Sequence, residues 1–274
     1  MKSRREGGTG TASPGPPVTG APSPFSLEGQ VALVTGGSQG IGLGIAESLG
    51  EAGARLLLVN RRKAKGEEAA SALAARGVTA QPFAADVSRQ AEAEAAVARA
   101  LGEWGRLDIL VNNAAVLTRK PAQEMTEAEM DRELAINVKG VFFCAVAASR
   151  PMMSRRRGKI INLASVGALI GLPERAFYSA TKAAVAQLTR SLALEWAPHG
   201  INVNAIAPGL VRTDINRAYL EADPARLQRI LAQIPWGRPG TPQDIGPLAL
   251  YLASPASDYV TGQTFVIDGG WTIA

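Results

Sequence analysis

A glycine-rich segment near the N-terminus restricts the possible folds of this chain more than any other feature. Residues 31–34 form an unbroken apolar run, typical of a strand buried on both faces of a parallel sheet. Glycines follow at positions 36, 37, 40, 42 and 44, and apolar residues then return at helical spacing. A strand, a glycine turn and a helix in this order present backbone N–H groups to a phosphate. The alternative is a tight strand-to-helix turn that binds nothing.

Beyond this segment, strand-like apolar runs alternate with helix-like patterns. Strands are predicted near residues 30–35, 55–60, 79–84, 107–112, 158–164, 201–206 and 264–267, and helices near 40–52, 65–76, 89–103, 126–153, 176–197 and 242–253. This alternation predicts an α/β fold with a seven-stranded parallel sheet and helices on both faces. Residues 1–26 are rich in Gly, Pro, Ser and Thr and are predicted to be a disordered tail, so the folded domain would span 27–274.

Bulk properties predict a cytoplasmic protein and indicate neither membrane insertion nor nucleic-acid binding. The single cysteine, Cys144, excludes an intrachain disulfide and indicates a reducing compartment. No apolar run approaches the roughly 18 residues that would span a membrane. The net charge of +5 is partly carried by the tail, so nucleic-acid binding is not predicted.

Small or hydrogen-bonding residues follow the second to the sixth predicted strands. Because ligands of open parallel sheets bind beyond the carboxyl ends of the strands, these residues are predicted to meet at one site. They are Asn60, Arg61 and Arg62 after the second strand, Asp86 and Val87 after the third, Asn113 and Ala114 after the fourth, Ser165 after the fifth, and Pro208 and Gly209 after the sixth.

A tyrosine and a lysine four residues apart begin the helix after the fifth strand. This spacing places Tyr178 and Lys182 on one helix face. A phenol ordinarily titrates near ~10, and a neighbouring cation lowers that pKa. Such a phenol can exchange a proton with a carbonyl or alcohol oxygen while a cofactor carries the hydride. Ser165 could bind the same oxygen, although a solvated Tyr/Lys pair without function would have the same spacing.

The motifs Thr35-Gly-x-x-x-Gly-x-Gly42, Asn112-Asn-Ala, Asn137, Ser165, Tyr178-x-x-x-Lys182 and Pro208-Gly209 together resemble the short-chain dehydrogenase/reductase family. The resemblance covers residues 27–274 and implies an NAD(P)-dependent oxidoreductase on a single Rossmann-type domain. It implies that Tyr178 is the general acid/base, that Lys182 holds the nicotinamide ribose, and that Ser165 orients the substrate oxygen. It implies that Asn137 holds a water in a proton relay.

The same resemblance implies the cofactor contacts and the assembly. Asp86 and Val87 would contact the adenine, Asn113 the adenosine side, and Val211 and Thr213 the nicotinamide. The family also implies a homotetramer in which the helices carrying Cys144 and Tyr178 meet symmetry mates. Ala115 stands where the family usually has glycine. The full set of implied cofactor-binding residues is Gly36, Ser38, Gln39, Gly40, Ile41, Gly42, Asn60, Arg61, Arg62, Asp86, Val87, Asn113, Ala114, Tyr178, Lys182, Pro208, Gly209, Val211 and Thr213. A non-catalytic dinucleotide sensor is the alternative, which loss of Tyr178 or Lys182 would favour.

The end of the second strand indicates NADP, with NAD as the alternative. An acidic residue there would repel a 2′-phosphate, whereas this chain has Asn60 followed by two arginines. Residues 210–239 are predicted to form a helical lid, whose arginines could face a substrate carboxylate; they are Arg212, Arg217, Arg226, Arg229 and Arg238. The lid resembles the branch acting on sugar acids and polyols, such as gluconate 5-dehydrogenases and 2-deoxygluconate dehydrogenases. The alternative substrate class is that of 3-oxoacyl-[acyl-carrier-protein] reductases.

Overall fold

The structure, a computed structural model, describes residues 23–274, apart from the side chains at positions 214, 215, 218 and 219. The predicted disordered tail, residues 1–26, lies outside the described residues except for its last four positions. In that short stretch the amide of Ser26 donates a hydrogen bond to the carbonyl of Ser23.

Seven parallel strands form one sheet, as the sequence predicts, and their order is β3-β2-β1-β4-β5-β6-β7. The strands are β1 Val31–Thr35, β2 Arg55–Asn60, β3 Ala80–Ala84, β4 Ile109–Asn112, β5 Gly158–Leu163, β6 Ile201–Pro208 and β7 Thr264–Ile267. The chain runs outward in one direction from β1 to β3 and in the other from β4 to β7. The crevice between β1 and β4 is therefore the switch point at which such sheets bind ligands.

Nine α-helices connect and flank these strands within the described part of the chain. They are α1 Gly40–Glu51, α2 Lys63–Ala74, α3 Gln90–Trp104, α4 Glu127–Leu134, α5 Gly140–Ser154, α6 Ala176–Trp196, α7 Asp214–Glu221, α8 Pro224–Leu231 and α9 Pro242–Ala253. The predicted single helix over 126–153 is wrong in detail, because a π-helical turn, Ala135–Lys139, separates α4 from α5. None of the helices within residues 23–274 has the length and hydropathy needed to cross a membrane.

Both faces of the sheet are covered, which explains the continuous apolar strands. On one face, Val34 of β1 belongs to a core that includes Leu49 of α1 and Leu252 of α9. On the other face, Leu33 belongs to a core with Cys144 of α5 and residues of α3 and α6. Burial raises the pKa of the Cys144 thiol to about 12, so this residue is part of the core and is a poor nucleophile.

The predicted lid, residues 210–239, contains the two short helices α7 and α8. Leu220 and Ile234 of this segment are buried in a small cluster with Leu210, Val166 and Trp271. The lid segment is thereby attached to the loops that follow β5, β6 and β7. That this segment forms a lid over the substrate stays a prediction.

Candidate active site

A cavity of about 560 Å³ opens at the carboxyl edge of the sheet, over the β1/β4 crevice. Two predicted site residues, Gly42 and Asn137, lie outside its wall. The remaining predicted residues line it, namely Gly36, Ser38, Gln39, Gly40, Ile41, Asn60, Arg61, Arg62, Asp86, Val87, Asn113, Ala114, Ser165, Tyr178, Lys182, Pro208, Gly209, Val211 and Thr213. The strand-end residues are thus brought together as expected.

The glycine turn has the shape of a phosphate cradle. Gly36 has a φ of +64°, a conformation that L side chains rarely adopt. A Cβ at Gly42 would lie 2.3 Å from the carbonyl oxygen of Gly36, so only glycine fits there. Gln39 precedes α1 without capping it through its side chain, which leaves the N–H groups of the first turn available at the cavity. The residues present therefore fit the pyrophosphate of a dinucleotide.

Asn113 braces this turn from the neighbouring strand. Its Nδ2 donates hydrogen bonds to the carbonyl oxygens of Thr35 (3.0 Å) and Gly36 (3.1 Å). The Thr35 hydroxyl in turn accepts from the amides of Asn113 and Ala114. The side-chain amide of Asn113 is therefore used to hold the glycine turn, in addition to the cofactor contact that the family resemblance implies.

The end of β2 carries positive charge into the cavity. Arg62 Nη2 donates a 2.7 Å hydrogen bond to Gln39 Oε1, which connects the end of β2 to the glycine turn. Partial burial acts to raise the pKa of Asp86, but hydrogen bonds from Ser88 and the charges of Arg61 and Arg89 hold it below its usual value. Two guanidinium groups and no carboxylate follow β2, an arrangement that suits a phosphate on the adenosine ribose.

Tyr178, Ser165 and Lys182 meet on one side of the cavity. Ser165 hydrogen-bonds the Tyr178 side chain, and its Oγ accepts from the amide of Gly167 at 3.1 Å. Lys182 Nζ donates to the carbonyl of Leu163 at 2.6 Å and lies 5.7 Å from the centroid of the Tyr178 ring. The phenol, the hydroxyl and the ammonium therefore lie in the wall of the same cavity.

The pKa of Tyr178 differs from the prediction. Burial raises it above its ordinary value, although the Ser165 hydrogen bond and the charges of Arg175 and Arg119 act in the opposite direction. The net shift is therefore opposite to the lowered pKa that the sequence predicts, because desolvation outweighs the neighbouring cations, which do act to lower it. Burial also lowers the pKa of Lys182 to about 8, against the opposing effect of the Glu133 charge.

Asn137 lies behind the cavity wall, in the π-helical turn. Its Oδ1 accepts from the amide of Val116 (2.8 Å), and its Nδ2 donates to the Val116 carbonyl (2.9 Å) and to Thr181 Oγ1 (3.2 Å). The side chain therefore connects the loop after β4 to helix α6. The water-holding role that the family resemblance implies for Asn137 stays a prediction.

Two arginines that sequence reasoning missed line the cavity near Tyr178. Arg119 lies in the loop after β4 and Arg175 directly precedes α6. The amide of Lys120 donates to the carbonyl of Glu174 at 3.1 Å, so the two loops are joined next to both arginines. Arg175 Nε is buried and has no hydrogen-bond partner among residues 23–274. Arg175 lies three residues before Tyr178, and this short distance in sequence could have revealed it.

The predicted lid arginines are not part of the cavity wall as far as the described residues show. Arg229 lies 3.5 Å from Asp223, and Arg238 forms a 2.8 Å ion pair with Asp244.

Within the described residues, no group of three or more His, Cys, Asp or Glu side chains could hold a metal ion.

Comparison with known proteins assigns the chain to a family. A family model described as enoyl-(acyl carrier protein) reductase matches residues 36–272. The chain is 44% identical over 248 residues to 2-dehydro-3-deoxy-D-gluconate 5-dehydrogenase of Dickeya dadantii, covering 90% of this chain and 97% of that one. It is 42% identical over 252 residues to galactitol 2-dehydrogenase of Rhizobium johnstonii, with coverage of 90% and 97%.

Solved structures agree with this assignment. The structure of a gluconate 5-dehydrogenase from Burkholderia cenocepacia, in complex with NADP and tartrate, superimposes with a TM-score of 0.87 at 39% identity. The match covers 91% of this chain and 98% of that one. The chain therefore belongs to the short-chain dehydrogenase/reductase family. It is a dehydrogenase that acts on CH–OH groups and interconverts an alcohol and a ketone.

Proposed function

We propose that this enzyme interconverts a sugar acid and its keto derivative, with NADP as the redox cofactor. The observation that carries the proposal is the pair of arginines, Arg119 and Arg175, in the same cavity as Tyr178 and Ser165. Guanidinium groups bind carboxylates through charge-assisted hydrogen bonds. A substrate with a carboxylate at one end and a secondary alcohol further along would contact both parts of the cavity.

The chain's own residues then move the proton. Tyr178 donates its phenolic proton to the ketone oxygen during reduction and takes it back during alcohol oxidation. Ser165 holds the same oxygen through its hydroxyl, and Lys182 contributes a positive charge beside the phenol. Bound NADP would supply or accept the hydride. The raised pKa of Tyr178 keeps the phenol protonated at neutral pH, as a general acid requires.

The preference for NADP is supported by the residues at the end of β2. Arg61 and Arg62 line the cavity, and Gln39 holds the Arg62 guanidinium at the edge of the glycine turn. A 2′-phosphate would find two cations there and no carboxylate at the end of the strand. The Burkholderia cenocepacia structure, which contains NADP, supports the same choice.

We further propose a homotetramer located in the cytoplasm. Phe142 on α5 is 41% exposed and Leu194 on α6 is 81% exposed, which fits helices that pack against symmetry mates. The free, buried thiol of Cys144 fits a reducing compartment. A monomer in light scattering at micromolar concentration would contradict the assembly, and fractionation of the native host tests the location.

A substrate panel tests the proposed function. Initial rates are measured for gluconate-type acids, for polyols of equal length and for a 3-oxoacyl thioester, each with NADP and with NAD. We expect kcat/KM to be highest for the sugar acids with NADP. A polyol or thioester that outperforms every acid would instead identify a polyol dehydrogenase or an acyl reductase.

The variant R175M sharpens this test. Because the Arg175 charge also lowers the pKa of Tyr178, acid and polyol must be compared within the same variant, where that effect is shared. A charge-assisted hydrogen bond contributes about 1.5–3 kcal/mol, so we expect the preference for acid over polyol to fall by about 10- to 150-fold. R229M, an exposed lid arginine outside the cavity, is the matched control. An equal loss for both substrates in R175M would refute the carboxylate contact.

A further inference from the structure

One aromatic residue of the cavity wall has no part in the proposed proton transfer. Trp271 lies in a short 3₁₀-helix, Trp271–Ile273, that follows β7. It lines the cavity and is only 9% exposed. Apolar and aromatic side chains form most of the contact surface in ligand cavities. The part of the cavity in which Trp271 lies therefore decides which ligand group it contacts.

Trp271 belongs to the end of the cavity that contains Ser165. It packs in one buried cluster with Val166 and Leu210, and Leu172 packs against the same cluster. All three of these neighbours line the cavity, and Val166 directly follows Ser165 in the chain. The end of β2 lies three strands away from β5 in the sheet, roughly 14 Å. The tryptophan is therefore on the substrate side and distant from the adenosine side.

The indole ring of Trp271 is held in place from two directions. Its Nε1 donates a 3.2 Å hydrogen bond to Oε1 of Gln233, in the segment that follows α8. The Asp268 carboxylate accepts from the amides of Gly270 (2.8 Å) and Thr272 (2.7 Å), which fixes the backbone on both sides of the tryptophan. Since Nε1 is the only polar atom of an indole and is already bonded, the ring offers the cavity an apolar surface.

Backbone carbonyls of the same wall are also engaged. The Val166 carbonyl accepts from the amides of Leu169 and Ile170, at 2.8 and 3.0 Å. The Leu210 carbonyl accepts from the amide of Gly240 at 2.8 Å. A hydroxyl group pressed against this wall would lose water without gaining a partner there, whereas C–H groups fit it. The wall therefore suits the carbon atoms of a substrate.

We propose that Trp271 is a specificity-determining residue, whose indole contacts the C–H side of a small substrate and excludes bulkier ketones. The substrate must share the cavity of about 560 Å³ with the dinucleotide, so the ring limits the space left beside Ser165. This inference rests on the proposed function for the roles of Tyr178 and Ser165. It does not depend on the carboxylate contact of Arg119 and Arg175.

The competing explanation is purely structural. Leu220 and Ile234 of the predicted lid belong to the same cluster, so Trp271 could serve only to attach that segment. In that case its replacement would lower the rate with every substrate by a similar factor. It would not create activity towards a larger substrate. The two explanations therefore differ in whether the preference between substrates changes.

The variants W271A and W271F measure this preference. Each is assayed on the best substrate of the panel and on the reduction of a ketone that carries a phenyl group. One methylene in a pocket already changes kcat/KM by about 10–200-fold. For W271A we expect at least a ~10-fold loss with the best substrate, mainly through KM, and at least a ~10-fold gain with the phenyl ketone. W271F should lie between W271A and the wild type.

The variant W236A is the matched control. Trp236 is 71% exposed and does not line the cavity within the described part of the chain. Its replacement should leave the ratio of the two kcat/KM values unchanged. NADPH affinity, measured by fluorescence titration, should also be retained in W271A, because the adenosine side of the cavity is distant from the ring.

Two results would overturn the proposal. One is a phenyl ketone that reacts no faster with W271A than with the wild type, and the other is an equal loss for both substrates. If W271A does not fold, W271L keeps an apolar side chain in the cluster and is judged by the same two criteria. If no sugar acid reacts with the wild type, the proposed function fails. The ratio measured with whichever panel substrate does react still decides the role of Trp271.

Discussion

Replacing Gly42 with alanine should weaken dinucleotide binding strongly without unfolding the protein. A Cβ at this position would lie 2.3 Å from the Gly36 carbonyl oxygen and 2.4 Å from Asn113 Nδ2. Since non-bonded heavy atoms prefer roughly 3.5 Å or more, the glycine turn and Asn113 must move by about 1 Å. Overpacking of this kind costs about 1–3 kcal/mol, and the two Asn113 hydrogen bonds are each worth about 0.5–1.5 kcal/mol.

These costs exceed the gain from alanine in a helix, which is about 1 kcal/mol. The displaced groups belong to the turn that would hold the pyrophosphate, so we expect NADP affinity to fall at least ~30-fold, the equivalent of about 2 kcal/mol. Fluorescence titration with NADPH measures this loss, and thermal melting measures folding. G102A is the matched control, because nothing lies within 4 Å of a Cβ at Gly102 in α3. G102A should bind normally and gain about 0.5–1 kcal/mol of stability. Binding by G42A within threefold of the wild type would refute the reasoning.

Two further substitutions test the chemical step and the ion pairs of Asp108 at the amino end of β4. Y178F should lower kcat by about 10²–10⁴-fold while NADP affinity and melting temperature are retained; substantial turnover on a confirmed substrate would remove the tyrosine from its role. D108N should destabilise the protein by about 1–3 kcal/mol in urea titrations, less than the ~3–5 kcal/mol of a fully buried pair, because Arg106 and Arg155 are partly exposed. Burial opposes the shift, but hydrogen bonds from Arg106, Val31 and Arg155 depress the Asp108 pKa. Its contribution is therefore present above the unfolded value of ~3.9 and is lost as pH falls through the folded pKa. A stability difference between wild type and D108N that did not shrink as the pH was lowered below ~3.9 would contradict this.

The sheet and most of the cavity wall could be predicted because they depend on local patterns. Apolar runs such as Val31–Val34 identify strands buried on both faces, and parallel strands bring their carboxyl ends to one edge. Residues distant in sequence, such as Asn60 and Ser165, were thereby assigned correctly to one cavity. No knowledge of packing was needed for this step.

The substrate side of the cavity could not be predicted in the same way. Arg119 lies in a loop whose path depends on a tertiary contact, the hydrogen bond from Lys120 to Glu174. The lid arginines were equally plausible by composition, yet Arg229 and Arg238 pair with acidic residues away from the cavity. The direction of the Tyr178 pKa shift was predicted wrongly for a similar reason. The spacing between Tyr178 and Lys182 in the sequence does not show how far burial desolvates the phenol.

The π-helical turn between α4 and α5 explains how one helical segment contributes to both the core and the site. Glu133, Asn137 and Val141 are four residues apart, and all three are buried. In a regular α-helix, positions four apart drift around the axis, because one turn contains 3.6 residues. The wider turn over Ala135–Lys139 offsets this drift.

As a result, the three side chains reach neighbours on the same side of the segment. Glu133 meets the loop at Thr118, Asn137 meets Thr181 on α6, and Val141 packs in a cluster with Val185 of α6. In a regular α-helix these three positions would share one face but would spread over about 80° of the helix surface. The π-helical turn therefore aligns the three side chains more closely where α4 and α5 contact the helix carrying Tyr178 and Lys182.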